Sequence, residues 1–251
     1  MPSRGKIQII GIGPGPIEDM TVRAVNAVSA SEYIVSAASY IKQITPLIDK
    51  QKVVQGGMGE EVQRAKQAIE LAEAGHVVSI ISGGDPNVYG MGGLLLDMLA
   101  TTNKPINFEV IPGITAANAV AAVLGAPLSN DYVSISLSDL LTPWEEIERR
   151  VSQVADSGFV IVLYNPRSRK RTSNLSRCVE LLMPHRASVP VGIVKNGRRP
   201  GETTIVTTLN TLMDHESTID MHTTIVIGNN ESFVWGNKMV TPRGYRNKYD
   251  Y

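Results

Sequence analysis

With 251 residues, 43% of them hydrophobic and 19% charged, the chain can bury roughly 70–75% of its unfolded surface in one large or two modest domains. Its 24 basic residues balance 24 acidic ones, which gives no reason to expect a nucleic-acid or membrane-surface binder. The single cysteine, Cys178, excludes an internal disulfide and any cysteine-built zinc or iron–sulfur framework. The histidines His76, His185, His215 and His222 lack close ligand spacing, so no protein-bound metal is expected. The sequence enters a strand pattern almost at once without an apolar signal region, and Ala116 to Leu128 is too short to span a bilayer, so a cytoplasmic setting is expected.

Lys6 to Ile12 reads as a first strand, ending in the loop Gly11-Ile-Gly-Pro-Gly15. Thr21 to Ser29 has helical spacing. The glycines are not a dinucleotide fingerprint, because Pro16 stands where the third glycine belongs; Pro14 and Pro16 stiffen the loop and suit it to border a pocket. Tyr33 to Val35 is a short strand and Ser39 to Ile48 a helix. Val53-Val-Gln precedes Gly56-Gly-Met-Gly59, and Glu60 to Ala74 forms an amphipathic helix with Val62, Ala65, Ile69 and Ala72 on one face and Gly75 as its stop. Val78 to Ile81 is a β-branched run entering Gly83-Gly-Asp-Pro86, after which a helical pattern opens near Gly90 and continues through Leu94 to Leu99. Asp85 thus falls beyond the carboxyl end of a parallel strand, where open α/β sheets bind small molecules, although the tetrapeptide alone is equally compatible with a ligand-free turn. Asn107 to Ile111 is one more strand. Alternating strands and helices argue for a parallel sheet covered on both faces.

Pro112-Gly113 is the expected seam, dividing the chain into domains 1–113 and 114–251. Ile114 to Leu124 is an alanine-rich helix. Strands follow at Tyr132 to Leu137, Phe159 to Leu163, Val189 to Val194, Thr203 to Thr207 and Thr223 to Ile227, with helices at Trp144 to Val154 and Leu175 to Met183. This half reads as a second α/β domain with a mixed sheet. Periodicity does not assign the tail from Thr241 to Tyr251.

Charge is uneven locally: Tyr164 to Arg199 carries nine basic residues and one acid, Glu180. Lys170 and Arg186 taken singly fit a solvated surface. Arg167 and Arg169 follow Asn165-Pro166 at a strand end, and Lys195-Asn-Gly-Arg198-Arg199 follows another, so both groups are placed to meet a polyanion through guanidinium forks. RNA is one such polyanion. With only three Phe and two Trp, the chain is poor in the stacking platforms that single-stranded RNA readers use, and a compact acidic ligand fits better.

The loops Gly11–Gly15, Gly83–Pro86 and Ile111-Pro-Gly-Ile-Thr-Ala-Ala117, in this order and spacing, resemble the tetrapyrrole methylase superfamily. Ser134-Ile-Ser-Leu-Ser-Asp-Leu-Leu-Thr-Pro-Trp144, Leu163-Tyr-Asn-Pro-Arg-Ser-Arg-Lys-Arg171, Val194-Lys-Asn-Gly197 and Val240-Thr-Pro-Arg-Gly-Tyr245 are similar to its precorrin-3B and cobalt-factor III C17-methyltransferase branch. The resemblance implies a two-domain α/β fold with an active cleft between the domains, S-adenosyl-L-methionine as methyl donor, S-adenosyl-L-homocysteine as product and a homodimer. It implies a tetrapyrrole substrate methylated at C17, with ring contraction and lactone formation from a neighbouring acetate. One departure is Val35-Ser-Ala-Ala-Ser-Tyr40, where the family's Gly-Tyr pair is replaced by Ser36 and Ala37, which puts in doubt a substrate contact from that loop.

Carried over residue by residue, cofactor contacts fall on Pro14, Gly83, Gly84, Asp85, Val88, Thr115, Ala116, Asn165 and Gly197. Asp85 is suited either to the cationic end of the methionine portion or to a helix-capping role. Arg167, Arg169 and Arg198 are the expected substrate contacts. Methyl transfer needs orientation and water exclusion more than a strong base, whereas ring contraction needs proton handling. Ser136, Ser138 and Asp139 are candidates for it, with Lys195 as an electrophilic partner; each also has a turn or capping explanation. A methylase of the same fold acting on another tetrapyrrole carbon, on RNA or on a protein side chain, and a binder without turnover, are the alternatives.

Overall fold

The computed structural model describes residues 5–57, 59–102 and 105–250, so Met58 of the Gly56–Gly59 run and Tyr251 of the tail lie outside the described residues. The chain divides into two compact units, Met1–Ala116 and Ala117–Tyr251.

The first unit contains β1 (Lys6–Gly11), α1 (Val22–Ala30), β2 (Tyr33–Ala37), α2 (Ala38–Ile44), β3 (Lys52–Gly56), α3 (Glu61–Glu73), β4 (Val77–Ser82), α4 (Met91–Thr102) and β5 (Asn107–Ile111). All strand pairs are parallel, in the order β3-β2-β4-β1-β5. Alternation along β1 decides what each face meets: Ile7 and Ile9 pack with Ala65 and Ile69 of α3 and Leu95 of α4, while Ile10 packs with Ala24 and Val28 of α1 and Ile44 of α2. Two helices therefore cover each face, as the unbroken β-branched runs require. The chain leaves β1 toward β2 on one side and β4 toward β5 on the other, yet β1 and β4 are neighbours. Their carboxyl ends form the switch point at which such sheets present a ligand site.

Local signals set the helix ends. Thr21 accepts the Ala24 N–H at 3.1 Å and caps α1. After α3, Gly75 takes φ +97°, its N–H bonds to Ala72 O and that of His76 to Leu71 O, the paired bonds of a Schellman stop. The predicted helix Ser39 to Ile48 is shorter than expected: α2 gives way at Thr45–Leu47 to a 3₁₀ turn with Pro46 in its first positions. Ser36 and Ala37 are 0% and 2% exposed, and α2 starts at the next residue, so they are strand core and not a substrate-facing loop.

Helix α5 (Ala116–Leu124) begins on the last residue of the first unit. The second unit continues with β6 (Gly125–Ala126), β7 (Tyr132–Ser136), α6 (Trp144–Val154), β8 (Val160–Tyr164), α7 (Asn174–Arg186), β9 (Pro190–Lys195), β10 (Thr203–Thr208), 3₁₀ turns over Leu209–Thr218, β11 (Thr223–Ile227), β12 (Phe233–Trp235) and β13 (Lys238–Val240). Its main sheet runs β10-β9-β11-β8-β7, parallel only between β7 and β8 and antiparallel elsewhere, hence mixed. Ile161 and Leu163 of β8 and Ile225 of β11 pack under Ile147 and Val151 of α6 and Leu175, Cys178 and Leu182 of α7. Burial pushes the Cys178 thiol up to about 12, which makes it a packing group. On the other face, a Cβ at Gly192 of β9 would stand 2.5 Å from Leu124 and 2.9 Å from Met239, so this glycine lets α5 and β13 settle onto the sheet. β12, β13 and β6 make a small second sheet.

Candidate functional site

In the first unit, the three glycine-containing loops follow β1, β4 and β5, which are adjacent. Gly13 and Gly84, both left-handed at φ +68° and +63°, exchange two backbone bonds, Gly13 N–H to Gly84 O at 3.1 Å and Gly84 N–H to Gly13 O at 2.9 Å. Asp85 ties in the third loop: one oxygen accepts the Asn87 N–H at 2.8 Å, the other the Gly113 N–H at 3.1 Å. A Cβ at Gly113 would lie 2.2 Å from Gly84 O and 2.8 Å from the carbonyl of Gly11, so backbone meets backbone here with no space between. Gly83 lies under the Tyr40 ring, 2.5 Å from where its Cβ would point. At Gly84 a Cβ would make ordinary contact, 3.7 Å from Thr115 and 3.8 Å from Ala116. Pro14 is buried, and Val88, Thr115 and Ala116 are half-buried. The structure thus brings Pro14, Gly83, Gly84, Asp85, Val88, Thr115 and Ala116 to one edge of the sheet. It also gives Asp85 a loop-pinning task beyond the two roles expected of it.

In the second unit, Ser136 ends β7 beside Tyr164 of β8, and Asn165 follows at φ +50°. Ser136 Oγ accepts from the Ser138 N–H at 3.2 Å and from Asn165 Nδ2 at 3.0 Å. Arg171, whose side chain is 7% exposed, donates from Nη1 to Ser138 Oγ at 3.2 Å, lies 3.8 Å from Asp139 Oδ1, and donates from Nη2 to Asn165 O at 2.8 Å. Burial lowers its hold on the proton, and Asp139 opposes that. The loop returns on itself through Ser168 N–H to Arg171 O at 2.9 Å and Arg171 N–H to Ser168 Oγ at 3.0 Å. Asn174 bonds the Leu137 carbonyl at 2.9 Å, and the Tyr164 hydroxyl accepts the Ala117 N–H at 2.8 Å in the first turn of α5. Ser136, Ser138, Asp139 and Asn165 therefore form one bonded cluster. Arg171, its hub, is the residue that sequence reasoning missed: it stood inside the basic run, but only loop closure distinguishes it from Lys170, which is exposed.

Lys195 is not in that cluster. It ends β9, three strand spacings from β7 and roughly 14 Å away along the same sheet edge, and its Nζ pairs with Asp220 at 2.7 Å. Partial burial pushes the Asp220 carboxyl up, but the Lys195 ammonium and the His222 N–H hold it below the usual carboxylate range. A depressed carboxyl stabilises the fold above its unfolded value and loses that contribution as pH falls through the folded one. Asp220→Asn is therefore expected to lower the urea midpoint at neutral pH, with the gap to the native protein closing below about pH 4; a gap constant from pH 7 to 2.5 refutes it. Gly197 sits against Val120 of α5, where a Cβ would come within 2.9 Å. Arg198 is exposed at φ +63°, with its N–H on Glu202 at 2.6 Å.

The basic run as a whole splits into separate tasks. Arg167 pairs with Glu216 at 3.2 Å and Arg169 is exposed at the same edge. Arg177 pairs with Glu148 at 2.9 Å on α6. Arg186, expected at a solvated surface, is 3% exposed and donates to four backbone carbonyls, so the expectation is corrected.

The family profile described as Tetrapyrrole (Corrin/Porphyrin) Methylases matches residues 6–213. The chain belongs to this family. The methylase is 43% identical to a protein of Salmonella typhimurium named probable cobalt-factor III C(17)-methyltransferase, over 95% of this chain and 99% of the relative. It is 43% identical to a cobalt-factor III methyltransferase of Priestia megaterium over 98% of this chain, but spans only 46% of that relative's length. Among solved structures, that of the methyltransferase CobJ superposes on it with a TM-score of 0.89 at 30% identity, covering 95% of this methylase and 100% of the other chain.

Proposed function

We propose that this methylase transfers a methyl group from S-adenosyl-L-methionine to C17 of a corrin precursor, precorrin-3B or cobalt-factor III, with contraction of the ring. The observation that carries the reading is the junction of three loops at the carboxyl ends of β4, β1 and β5. The names of full-length relatives support the substrate.

The residues fit the methyl donor chemically. Small side chains and backbone groups at Gly84, Thr115 and Ala116 suit contact with a flat base and an amino-acid moiety. Asp85 has filled one acceptor site on each oxygen with a backbone N–H, and a carboxylate has further lone pairs for an ammonium group. Asn165 and Gly197 are proposed as further contacts. When bound, the donor supplies a methyl on a cationic sulfur, already a good leaving group, so the protein's share is to orient the acceptor carbon and exclude water. Arg167, Arg169 and Arg198 are proposed for the carboxylates of the tetrapyrrole, and Ser136, Ser138 and Asp139 for proton handling in the contraction. Lys195 acts from its own place on the edge, held by Asp220. We propose a cytoplasmic homodimer, on the strength of the family resemblance; among the described residues no helix is long and apolar enough to cross a membrane.

The test is incubation of purified protein with S-adenosyl-L-methionine and cobalt-factor III, or metal-free precorrin-3B, followed by mass and absorption spectra. The expected product has gained one methyl group and shows the spectrum of a contracted ring. Gain without contraction means a different carbon, and cofactor binding without gain means a binder.

A further inference from the structure

The cluster at the end of β7 has a polarity that its residue types alone do not reveal. A serine hydroxyl offers two acceptor lone pairs and one proton. Both lone pairs of Ser136 are engaged, by the Ser138 N–H and by Asn165 Nδ2, so what Ser136 has left to offer is its proton. Ser138 Oγ accepts from the Arg171 guanidinium, which has donors only, and a cation on the oxygen polarises the hydroxyl toward donating. The source of this arrangement is Arg171. Its Nη2 holds the carbonyl of Asn165, a residue in left-handed conformation whose side chain would swing away from Ser136 if the backbone relaxed. Its carboxylate neighbour, Asp139, lies at 3.8 Å with 39% side-chain exposure, and Arg171 Nε is buried without a hydrogen-bond partner. A buried cation so loosely compensated, behind two half-buried hydroxyl donors, is complementary to an anionic oxygen.

We propose that Arg171 is the positioning residue of this site, presenting Ser136 and Ser138 as a pair of hydrogen-bond donors to a carboxylate oxygen of the tetrapyrrole. The assignment rests on the methylase reading above and deepens it. Ser136 and Ser138 then donate hydrogen bonds to the carboxylate and polarise it, a role that replaces the proton handling proposed for them above and leaves that task to Asp139.

A double-mutant cycle on the full chain tests this, with kcat and KM for cobalt-factor III read for Arg171→Met, Ser138→Ala and the double variant. Arg171→Met is expected to lower kcat/KM for the tetrapyrrole on the order of 100-fold and Ser138→Ala about 10-fold, with the double variant within about twofold of Arg171→Met alone, because residues acting as one unit do not add. Arg171→Lys, which keeps the charge but lacks the fork, recovers part of the loss. All variants are compared below the lowest of their thermal midpoints; if Arg171→Met does not fold, the same cycle is run with Arg171→Lys. Losses that multiply independently, or a lysine variant no better than methionine, overturn the proposal while leaving the methylase reading in place. Wild-type protein that leaves cobalt-factor III unmethylated overturns the functional reading, and this one with it.

Discussion

Gly113→Ala is expected to unfasten the loop junction of the first unit. The added methyl would sit 2.2 Å from Gly84 O and 2.8 Å from the Gly11 carbonyl, and neither is a side chain that can rotate away. Relief requires the third loop to withdraw, which breaks the Gly113 N–H bond to Asp85 and leaves that carboxylate without one of its anchors. Overpacking of this kind costs about 1–3 kcal/mol, and backbone contacts this close place it at the upper end. If about half of a 3 kcal/mol cost falls on the cofactor-binding geometry, affinity for S-adenosyl-L-methionine drops on the order of 10-fold, at about 1.4 kcal/mol per factor of ten. Urea unfolding and titration calorimetry with S-adenosyl-L-methionine read the two effects separately. Gly93→Ala is the control: inside α4, with nothing within 4 Å of its Cβ position, it is expected to stabilise by about 0.5–1 kcal/mol and leave affinity unchanged. Equal behaviour of the two alanine variants would show that the junction is not under steric demand.

Arg186→Met is expected to have the largest effect on stability outside the site. The guanidinium donates to Ala155 O at 2.6 Å, Val154 O at 3.0 Å, Phe159 O at 2.7 Å and Gly228 O at 3.0 Å. Two of these are carbonyls that the end of α6 cannot satisfy within the helix; the others lie where the chain enters β8 and leaves β11. Methionine matches the length but donates nothing. Val154 O keeps the Ser157 N–H and hydroxyl as donors; each of the other three acceptors left unpaired costs about 1–3 kcal/mol, so a total loss of about 4 kcal/mol or more follows, a thermal midpoint roughly 10 °C lower. Arg186→Lys, with one donor centre in place of a fork, recovers less than half. A midpoint within 2–3 °C of the native value, roughly 1 kcal/mol or less at this chain length, would mean that water replaces the guanidinium.

The parts of this fold that were legible in the sequence are those written by local chemistry. The β-branched runs at Val78 to Ile81 and Phe159 to Leu163, the apolar spacing of Trp144 to Val154 and the stop at Gly75 each need only their neighbours in the chain to be understood, and each element forms where expected. The three glycine loops were legible as places where backbones come close. What backbone they approach was not, because Gly113 meets Gly84 and Gly11 across three strands. Arg171 and Arg186 have the same composition signal as Lys170, and only tertiary closure makes one a hub, one a cap and one a solvated charge. The β12–β13 hairpin has a local signal, Gly236-Asn237 between Trp235 and Lys238 with Gly236 at φ +60°, that periodicity passes over in segments of three residues. β6 has no such signal, since two residues become a strand only because β13 arrives beside them.

The family profile stops at residue 213, whereas β11, at Thr223–Ile227, is the middle strand of the second sheet, bonded to β9 on one side and β8 on the other. A polypeptide trimmed to the matched stretch would be split down its centre, with two raw strand borders open to aggregation in place of one closed sheet. The border of the family profile thus falls short of the border of the fold, and the stretch beyond it holds the keystone of the second half.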